Sequence, residues 1–193
     1  MKFVILHGTE GTPESNWFPW LSKELEKLGQ KTIRPKLPTP KGQTPENWTT
    51  IVSKTVKEVG GPDNETIIVA HSMSPMAVCH YIVKNNVKVG FAFFASAFTD
   101  YDLNIEPYKT VNRRFFDKNF DWEKLKKNCP KIICFAGSDD PYLPQDVLKR
   151  FSKLCGAMKF IIVSNGGHLN AESGYTTFPL LLETIKKELK LKG

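Results

Sequence analysis

The sequence predicts a doubly wound α/β fold, with a mostly parallel sheet of about six strands and helices on both faces. The first observation is that short apolar segments alternate with segments of helical periodicity almost throughout the 193 residues, as in folds whose strands and helices alternate. The second is that several apolar segments are continuous, without polar residues at every other position. Such runs are typical of strands that are buried on both faces of a parallel sheet.

Six apolar segments are the predicted strands, at residues 2–6, 31–34, 66–70, 89–95, 131–136 and 159–163. Between them, residues 17–28 and 48–59 place apolar side chains three and four positions apart, which predicts helices with one buried face. Thr44 followed by Pro45 indicates the start of the second of these helices. We expect a single domain over residues 1–193.

Composition limits the function classes. Apolar residues make up 40% of the chain and charged residues 24%, as in soluble globular proteins. The apolar run at residues 3–6 is too short for a signal peptide or a membrane span, so we expect a cytoplasmic protein with no membrane span. The four cysteines show no Cys-x-x-Cys spacing and are expected to be buried free thiols. No histidine pair has metal-ligand spacing, so we expect no metal and no cofactor.

The net charge of +7 has two interpretations. Its densest part is the lysine-rich C-terminal segment at 186–192, which a nucleic acid or an acidic membrane could contact. A solvated helix face is the other interpretation. We favour it, because no arginine or aromatic residue is interleaved with these lysines. Nucleic acid is therefore not the expected partner.

The most informative motif lies at residues 66–75, TIIVAHSMSP. A β-branched run, a serine between small residues and a helix-compatible segment together indicate a nucleophile elbow with Ser72 as the nucleophile. The usual pattern is Gly-x-Ser-x-Gly, and here Ala70 and Ser74 take the two glycine positions. Ser74 is not the expected nucleophile, since Met76 would then fill a crowded position. The alternative is an ordinary strand-to-helix turn in which Ser72 only caps the helix.

A candidate acid follows the fifth predicted strand, in residues 138–144, SDDPYLP. The carboxylate that orients a catalytic histidine needs this place, at the carboxyl end of a strand on the same side as the serine. Asp139 and Asp140 compete for the role. The Asp-Pro-x-apolar-Pro spacing favours Asp140, and the alternative is that either residue only forms a turn.

A candidate base follows the sixth predicted strand, where residues 164–168 read SNGGH. The two glycines allow His168 to approach the serine. Alone, His168 would be read as a surface loop residue. Together with Ser72 and Asp140 it completes the chain order Ser, Asp, His, which is the order of α/β-hydrolases.

The remaining candidates concern the substrate. Residues 7–11, HGTEG, follow the first strand, so the backbone N–H of Thr9 could join that of Met73 in an oxyanion hole. A phosphate-binding interpretation of this loop lacks the glycine spacing and the lysine that it needs. We read residues 99–128, which have no strand pattern, as a loop-plus-helix excursion over the site. The candidate pocket walls are aromatic residues that could equally belong to the core: Trp17, Phe98, Tyr101 and Tyr142.

These motifs resemble the small α/β-hydrolase-superfamily serine hydrolases of the retinoblastoma-binding protein 9-like family. The resemblance rests on residues 7–8 (HG), 17–21 (WFPWL), 67–72 (IIVAHS), 96–99 (SAFT), 122–130 (WEKLKKNCP), 138–144 (SDDPYLP) and 166–170 (GGHLN), and spans nearly the whole chain. It implies a minimal α/β-hydrolase fold without a large cap. It also implies a nucleophile at Ser72, an acid at Asp140 and a base at His168. Ala70 departs from the family's usual glycine, and Ser74 stands where the family usually has serine or glycine.

The expected function is hydrolysis of a small-molecule acyl substrate, an ester, thioester or amide, through an acyl-enzyme, as in carboxylesterases. A second hypothesis is a partner-binding protein whose triad is vestigial. No Leu-x-Cys-x-Glu motif surrounds any of the four cysteines, so the sequence identifies no protein partner. A third hypothesis is nucleic-acid binding by the lysine-rich segment.

Overall fold

The structure is a computed structural model that describes residues 1–99, 106 and 108–191. Its centre is a parallel sheet. The strands are β1 (Lys2–Leu6), β2 (Lys31–Ile33), β3 (Thr66–His71), β4 (Phe91–Ala95), β5 (Ile132–Gly137) and β6 (Lys159–Val163). Their order across the sheet is β2-β1-β3-β4-β5-β6. The helices are α1 (Phe18–Lys27), α2 (Pro45–Glu58), α3 (Ser74–Asn85), α4 (Tyr108–Asn112), α5 (Trp122–Asn128), α6 (Gln145–Leu154) and α7 (Pro179–Leu189). Two 3₁₀ turns cover Arg113–Phe115 and Ala171–Ser173.

The six predicted strands all form, and the doubly wound fold class is confirmed. β3, β4 and β5 are buried along their whole length, as their continuous apolar sequences predict. The fourth strand begins two residues later than predicted. Its expected first residue, Val89, donates its N–H to the carbonyl oxygen of Asn128 at the end of α5.

Helices cover both faces of the sheet, so the core has two layers. One layer packs α2 and α3 against the sheet and includes Trp48, Val52 and Met76. The other packs α1 and α7 and includes Leu21 and Ile185. The side chains of each strand point alternately into these two layers. The side chains on both faces of the strand must therefore be apolar.

The predicted start of α2 at Thr44 and Pro45 is confirmed. The hydroxyl of Thr44 accepts the backbone N–H of Asn47, 3.1 Å away, and Pro45 is the first residue of α2. Gly29 lies beyond the end of α1 with φ +72°, a conformation that costs glycine little. These caps set the helix ends that carry the chain from one strand to the next.

The strand order reverses direction between β1 and β3, which are neighbours in the sheet. Because all the strands are parallel, the loops after β1, β3, β5 and β6 meet at one edge, and ligand crevices form where the order reverses. Within the described residues no helix is long and apolar enough to cross a membrane. Cys79, Cys129, Cys134 and Cys155 are free and buried, as predicted.

Candidate active site

Ser72 stands on a sharp turn directly between β3 and α3. Its φ of 61° lies in the left-handed region that non-glycine residues rarely adopt. The turn is held by the backbone N–H of Ser72, which donates to the carbonyl oxygen of Ala95 on β4, 2.9 Å away. A strained serine at the carboxyl edge of a buried strand is the geometry of a nucleophile elbow.

The loop after β1 touches this elbow through Gly8. A Cβ atom at position 8 would lie 2.7 Å from Cβ of Ser72 and 2.9 Å from the carbonyl oxygen of His71. Both distances are too short for a real contact, so the first loop can pass beside the serine only with glycine at this position.

The two substituted glycine positions fit the turn. Ala70 is fully buried between Leu6 on β1 and Phe94 on β4. The hydroxyl of Ser74 accepts the backbone N–H of His71 at 3.0 Å and lies 3.1 Å from the carbonyl oxygen of Leu6. The hydroxymethyl group therefore ties the last residue of β3 to the start of α3.

The structure brings Ser72, His168 and Asp140 into one chain of hydrogen bonds. Nε2 of His168 lies 3.1 Å from Oγ of Ser72, and Nδ1 of His168 lies 2.8 Å from Oδ2 of Asp140. An ionised carboxylate can only accept, so Nδ1 carries the hydrogen and Nε2 presents its lone pair to the serine hydroxyl. This is the arrangement in which a histidine removes a proton from a serine.

The two competing aspartates do different things. The side chain of Asp140 is fully buried, and its other oxygen accepts the backbone N–H groups of Tyr142 and Leu143 at 3.0 and 3.1 Å. Asp139 is exposed, and its Oδ1 accepts the backbone N–H of Gly167 at 2.8 Å. Asp140 thus contacts the imidazole, whereas Asp139 holds the backbone beside it.

Residues 164–173, here called the histidine loop, are held through their backbone. The carbonyl oxygen of His168 lies 2.9 Å from Nε2 of His71 and accepts the hydroxyl of Ser96 at 3.1 Å. The backbone N–H of His168 donates to Oγ of Ser173 at 3.2 Å. A side chain at Gly137, the last residue of β5, would collide with the backbone of the loop.

Two further histidines near the site are neutral. Burial, and then the neighbouring His168, lowers the pKa of His71 to about 3. Burial also lowers the pKa of His7, whose Nε2 accepts the backbone N–H of Leu37 at 2.9 Å. Since Nε2 of His7 is an acceptor, its Nδ1 donates to the carbonyl oxygen of Gly8 at 2.8 Å. Each of these two histidines hydrogen-bonds the backbone of a neighbouring loop.

The two candidate oxyanion groups are the backbone N–H groups of Thr9 and Met73. Within residues 1–99, 106 and 108–191, neither of these groups donates to another protein atom. Met73 is nevertheless fully buried, and buried N–H groups are almost always paired. An N–H group beside the serine that has no protein acceptor among the described residues can donate to a substrate oxygen.

A cavity of about 630 Å³ opens beside Ser72 and His168. Phe98 and Tyr142 line it, and the Tyr142 ring packs edge-on against His168 with the ring centres 5.0 Å apart. Trp17 lies in the core instead, where its Nε1 donates to the carbonyl oxygen of Leu169 at 2.9 Å. The remaining candidate, Tyr101, lies outside the described residues.

Tyrosine and glutamate pairs stand at the cavity. The hydroxyl of Tyr142 donates to Glu172 at 2.9 Å, and this bond raises the pKa of Tyr142 to about 12. The hydroxyl of Tyr108 lies 3.3 Å from a carboxylate oxygen of Glu10. The two tyrosine rings meet edge to face, with their centres 5.8 Å apart.

Several site residues escape sequence reasoning. Gln43, in the loop before α2, and Asn112, the last residue of α4, are buried and hydrogen-bond each other beside Thr9. No motif or periodicity marks either of them, because their contact depends on how the excursion folds back. His71 did carry a signal, its position next to the serine.

The profile of the serine hydrolase family matches residues 3–187. The chain belongs to this family. Membership supports hydrolase activity, and the resemblance predicted from the motifs is confirmed. Serine hydrolase RBBP9 of Rattus norvegicus is 28% identical to this chain over 191 residues, which cover 97% of this chain and 95% of the relative.

Solved structures share the fold. The ydeN gene product of B. subtilis superposes with a TM-score of 0.87 at 22% identity, covering 98% of both chains. Est1E from Butyrivibrio proteoclasticus superposes with a TM-score of 0.72 at 15% identity, covering 97% of this chain and 86% of that one. At these identities the likeness concerns the fold alone.

Proposed function

We propose that the chain is a serine hydrolase with carboxylesterase-like activity on small ester, thioester or amide substrates. The observation that carries the proposal is the chain of hydrogen bonds from Asp140 through His168 to Ser72, with distances of 2.8 and 3.1 Å. The strained φ of Ser72 and the cavity of about 630 Å³ beside it support the same assignment.

In this mechanism, Nε2 of His168 takes the hydroxyl proton as Oγ of Ser72 attacks the substrate carbonyl carbon. Asp140 accepts from Nδ1 throughout, so it holds the correct tautomer and stabilises the imidazolium that forms. The carbonyl oxygen becomes an oxyanion, and the N–H groups of Thr9 and Met73 donate to it. Collapse of the tetrahedral intermediate expels the leaving group, which takes the proton from Nε2.

The resulting acyl-enzyme is an ester of Ser72. Water, deprotonated by His168, attacks its carbonyl carbon, and the second tetrahedral intermediate releases the carboxylic acid and restores the serine hydroxyl. Esters are the first substrates to test. The structural neighbour Est1E, which has been solved with ferulic acid bound, is the motive for including aryl acids among them.

Labelling with a fluorophosphonate probe tests this proposal. We expect the folded wild type to be labelled, and Ser72→Ala and His168→Ala not to be labelled, because the probe reacts only with an activated serine. A folded wild type that stays unlabelled from neutral to mildly alkaline pH would overturn the proposal. It would instead favour the hypothesis of a partner-binding protein with a vestigial triad.

A further inference from the structure

A group of polar side chains packs behind the loop after β1, and the mechanism proposed above assigns it no role. We call Thr9, Thr39, Gln43 and Asn112 the Gln43 cluster. Gln43 and Asn112 are only 5% and 3% exposed, although Asn112 and Thr9 line the same cavity as Ser72. Buried polar groups are stable only when they are paired, so the hydrogen bonds of this cluster can be counted one by one.

The direction of one hydrogen bond in the cluster is fixed, because a backbone N–H can only donate. The backbone N–H of Glu10 donates to Oγ1 of Thr39 at 2.7 Å. The hydroxyl of Thr39 in turn donates to Oε1 of Gln43 at 2.6 Å. The carbonyl end of Gln43 therefore faces Thr39, and its amino group faces the other members of the cluster.

That amino group has two acceptors. It donates to Oγ1 of Thr9 at 2.8 Å and to Oδ1 of Asn112 at 2.7 Å. The hydroxyl of Thr9 also donates to Oδ1 of Asn112, at 2.7 Å. Two donors thus converge on the carbonyl oxygen of Asn112, which uses both of its lone pairs.

The amino group of Asn112 is left over. Among the residues that the structure describes, no protein atom accepts a hydrogen bond from its Nδ2. An amide that is buried to this extent without an acceptor destabilises the fold. The cost is removed when a ligand in the cavity offers an acceptor.

We propose that Nδ2 of Asn112 is a substrate-binding group that donates to an acceptor oxygen of the substrate outside the scissile carbonyl. This proposal rests on the proposed function of Ser72 and names the substrate class. The preferred substrates carry a ketone, ether or similar oxygen in the acyl or the alcohol part, rather than plain hydrocarbon. Gln43 and Thr9 orient the amide.

Selectivity follows from the buried amide. A hydrocarbon analogue of the same shape would fill the cavity and shut water out, but would leave Nδ2 unpaired. Sites that are built to hydrogen-bond a substrate group discriminate strongly against analogues that lack it. We expect a preference of about ten-fold or more for the substrate with the acceptor.

The test compares kcat/KM within isosteric pairs. One pair varies the acyl part, p-nitrophenyl levulinate against p-nitrophenyl isocaproate, and the other varies the alcohol, methoxyethyl acetate against butyl acetate. We expect the wild type to prefer the oxygen-bearing member of at least one pair. Asn112→Leu and Asn112→Asp, which remove the donor, should lose that preference.

The matched control is Asn128→Leu. Asn128 is also a buried asparagine, on α5, and it donates to Oδ1 of Asn86 at 3.3 Å. Asn128 is not among the residues that line the cavity with Ser72. We expect this variant to keep the wild-type preference. If Asn112→Leu does not fold, the nearly isosteric Asn112→Asp still decides the result.

Three outcomes would overturn the role of Asn112. They are a wild type with no preference in either pair, an unchanged preference in both Asn112 variants, or an equal fall of kcat/KM on every substrate in these variants. Failure of hydrolysis is detected separately, because fluorophosphonate labelling reports Ser72 alone. Calorimetry with levulinamide and isocaproamide on Ser72→Ala, which lacks the proposed nucleophile, measures the same preference without turnover. Equal affinities of these two amides would also overturn the role.

Discussion

The histidine loop and the Gln43 cluster contribute to the same cavity but are built in opposite ways. In the histidine loop, partners from elsewhere in the chain capture backbone atoms, as His71, Ser96 and Asp139 do. In the Gln43 cluster, side chains bond mainly to each other, and one amide remains without an acceptor among the described residues. The contrast indicates that the first region fixes the position of the proposed base, whereas the second leaves a donor for the substrate.

The largest expected effect distinguishes the two aspartates. Asp140→Asn should lower kcat by about 10⁴-fold, because an amide can donate to Nδ1 and stabilise the wrong tautomer of His168. Asp139→Asn should lower kcat by about ten-fold or less, because its oxygen can still accept from Gly167. Steady-state kinetics on p-nitrophenyl acetate measures both. The reverse order would show that Asp139 is the functional acid.

The next effect concerns His71, a positioning residue in this account. His71→Phe keeps a ring beside Trp17 but removes the donor to the carbonyl oxygen of His168, so kcat should fall about ten-fold with KM nearly unchanged. His71→Gln supplies an amide donor and should recover part of the loss. Equal activities of the two variants would mean that the hydrogen bond does not position His168.

A smaller effect is expected in the other region. Gln43→Met keeps the volume of the side chain but removes both donors that orient Thr9 and Asn112. We expect KM to rise about three-fold to ten-fold with kcat changed less, because Gln43 contacts the hydroxyl of Thr9 and not its backbone N–H, the proposed oxyanion group. Should kcat fall as steeply as in the His71→Phe variant, the proposed contrast between the two regions would be wrong.

A separate effect is expected on stability against pH. Burial lowers the pKa of His71 to about 3 in the folded state. Below about pH 6.5, His71 is therefore protonated in the unfolded chain but still neutral in the folded chain. The free energy of unfolding should therefore fall as the pH drops from about 6.5 towards 3, by at most about 1.4 kcal/mol per pH unit. Urea titrations across this range measure the slope. His71→Gln should show a shallower slope, and an equal slope would contradict the assignment.

The fold was predictable from the sequence because strand burial and helix periodicity are local patterns. All six strands appear where the apolar runs predict them, with ends that shift by two residues or fewer. The juxtaposition of Ser72, Asp140 and His168 was also predictable, because each follows its own parallel strand and such strand ends share one edge of the sheet.

The rest of the site was not predictable, for physical reasons. Trp17 is an aromatic residue of the kind that lines pockets. Its position beneath the histidine loop depends on a hydrogen bond to Leu169, which is far away in the sequence. The contact between Gln43 and Asn112 joins a loop to the end of a five-residue helix. Neither segment has a periodicity that would bring the two together.

In the proposed mechanism Ser72 is acylated, and water then hydrolyses the acyl-enzyme. The most direct measurement mixes the enzyme with p-nitrophenyl acetate, quenches the reaction in acid during turnover and maps the modified peptide by mass spectrometry. We predict an acetyl group on Ser72 that forms in the wild type and disappears once the substrate is consumed. Acetylation of another residue, or turnover that persists in Ser72→Ala, would contradict the account.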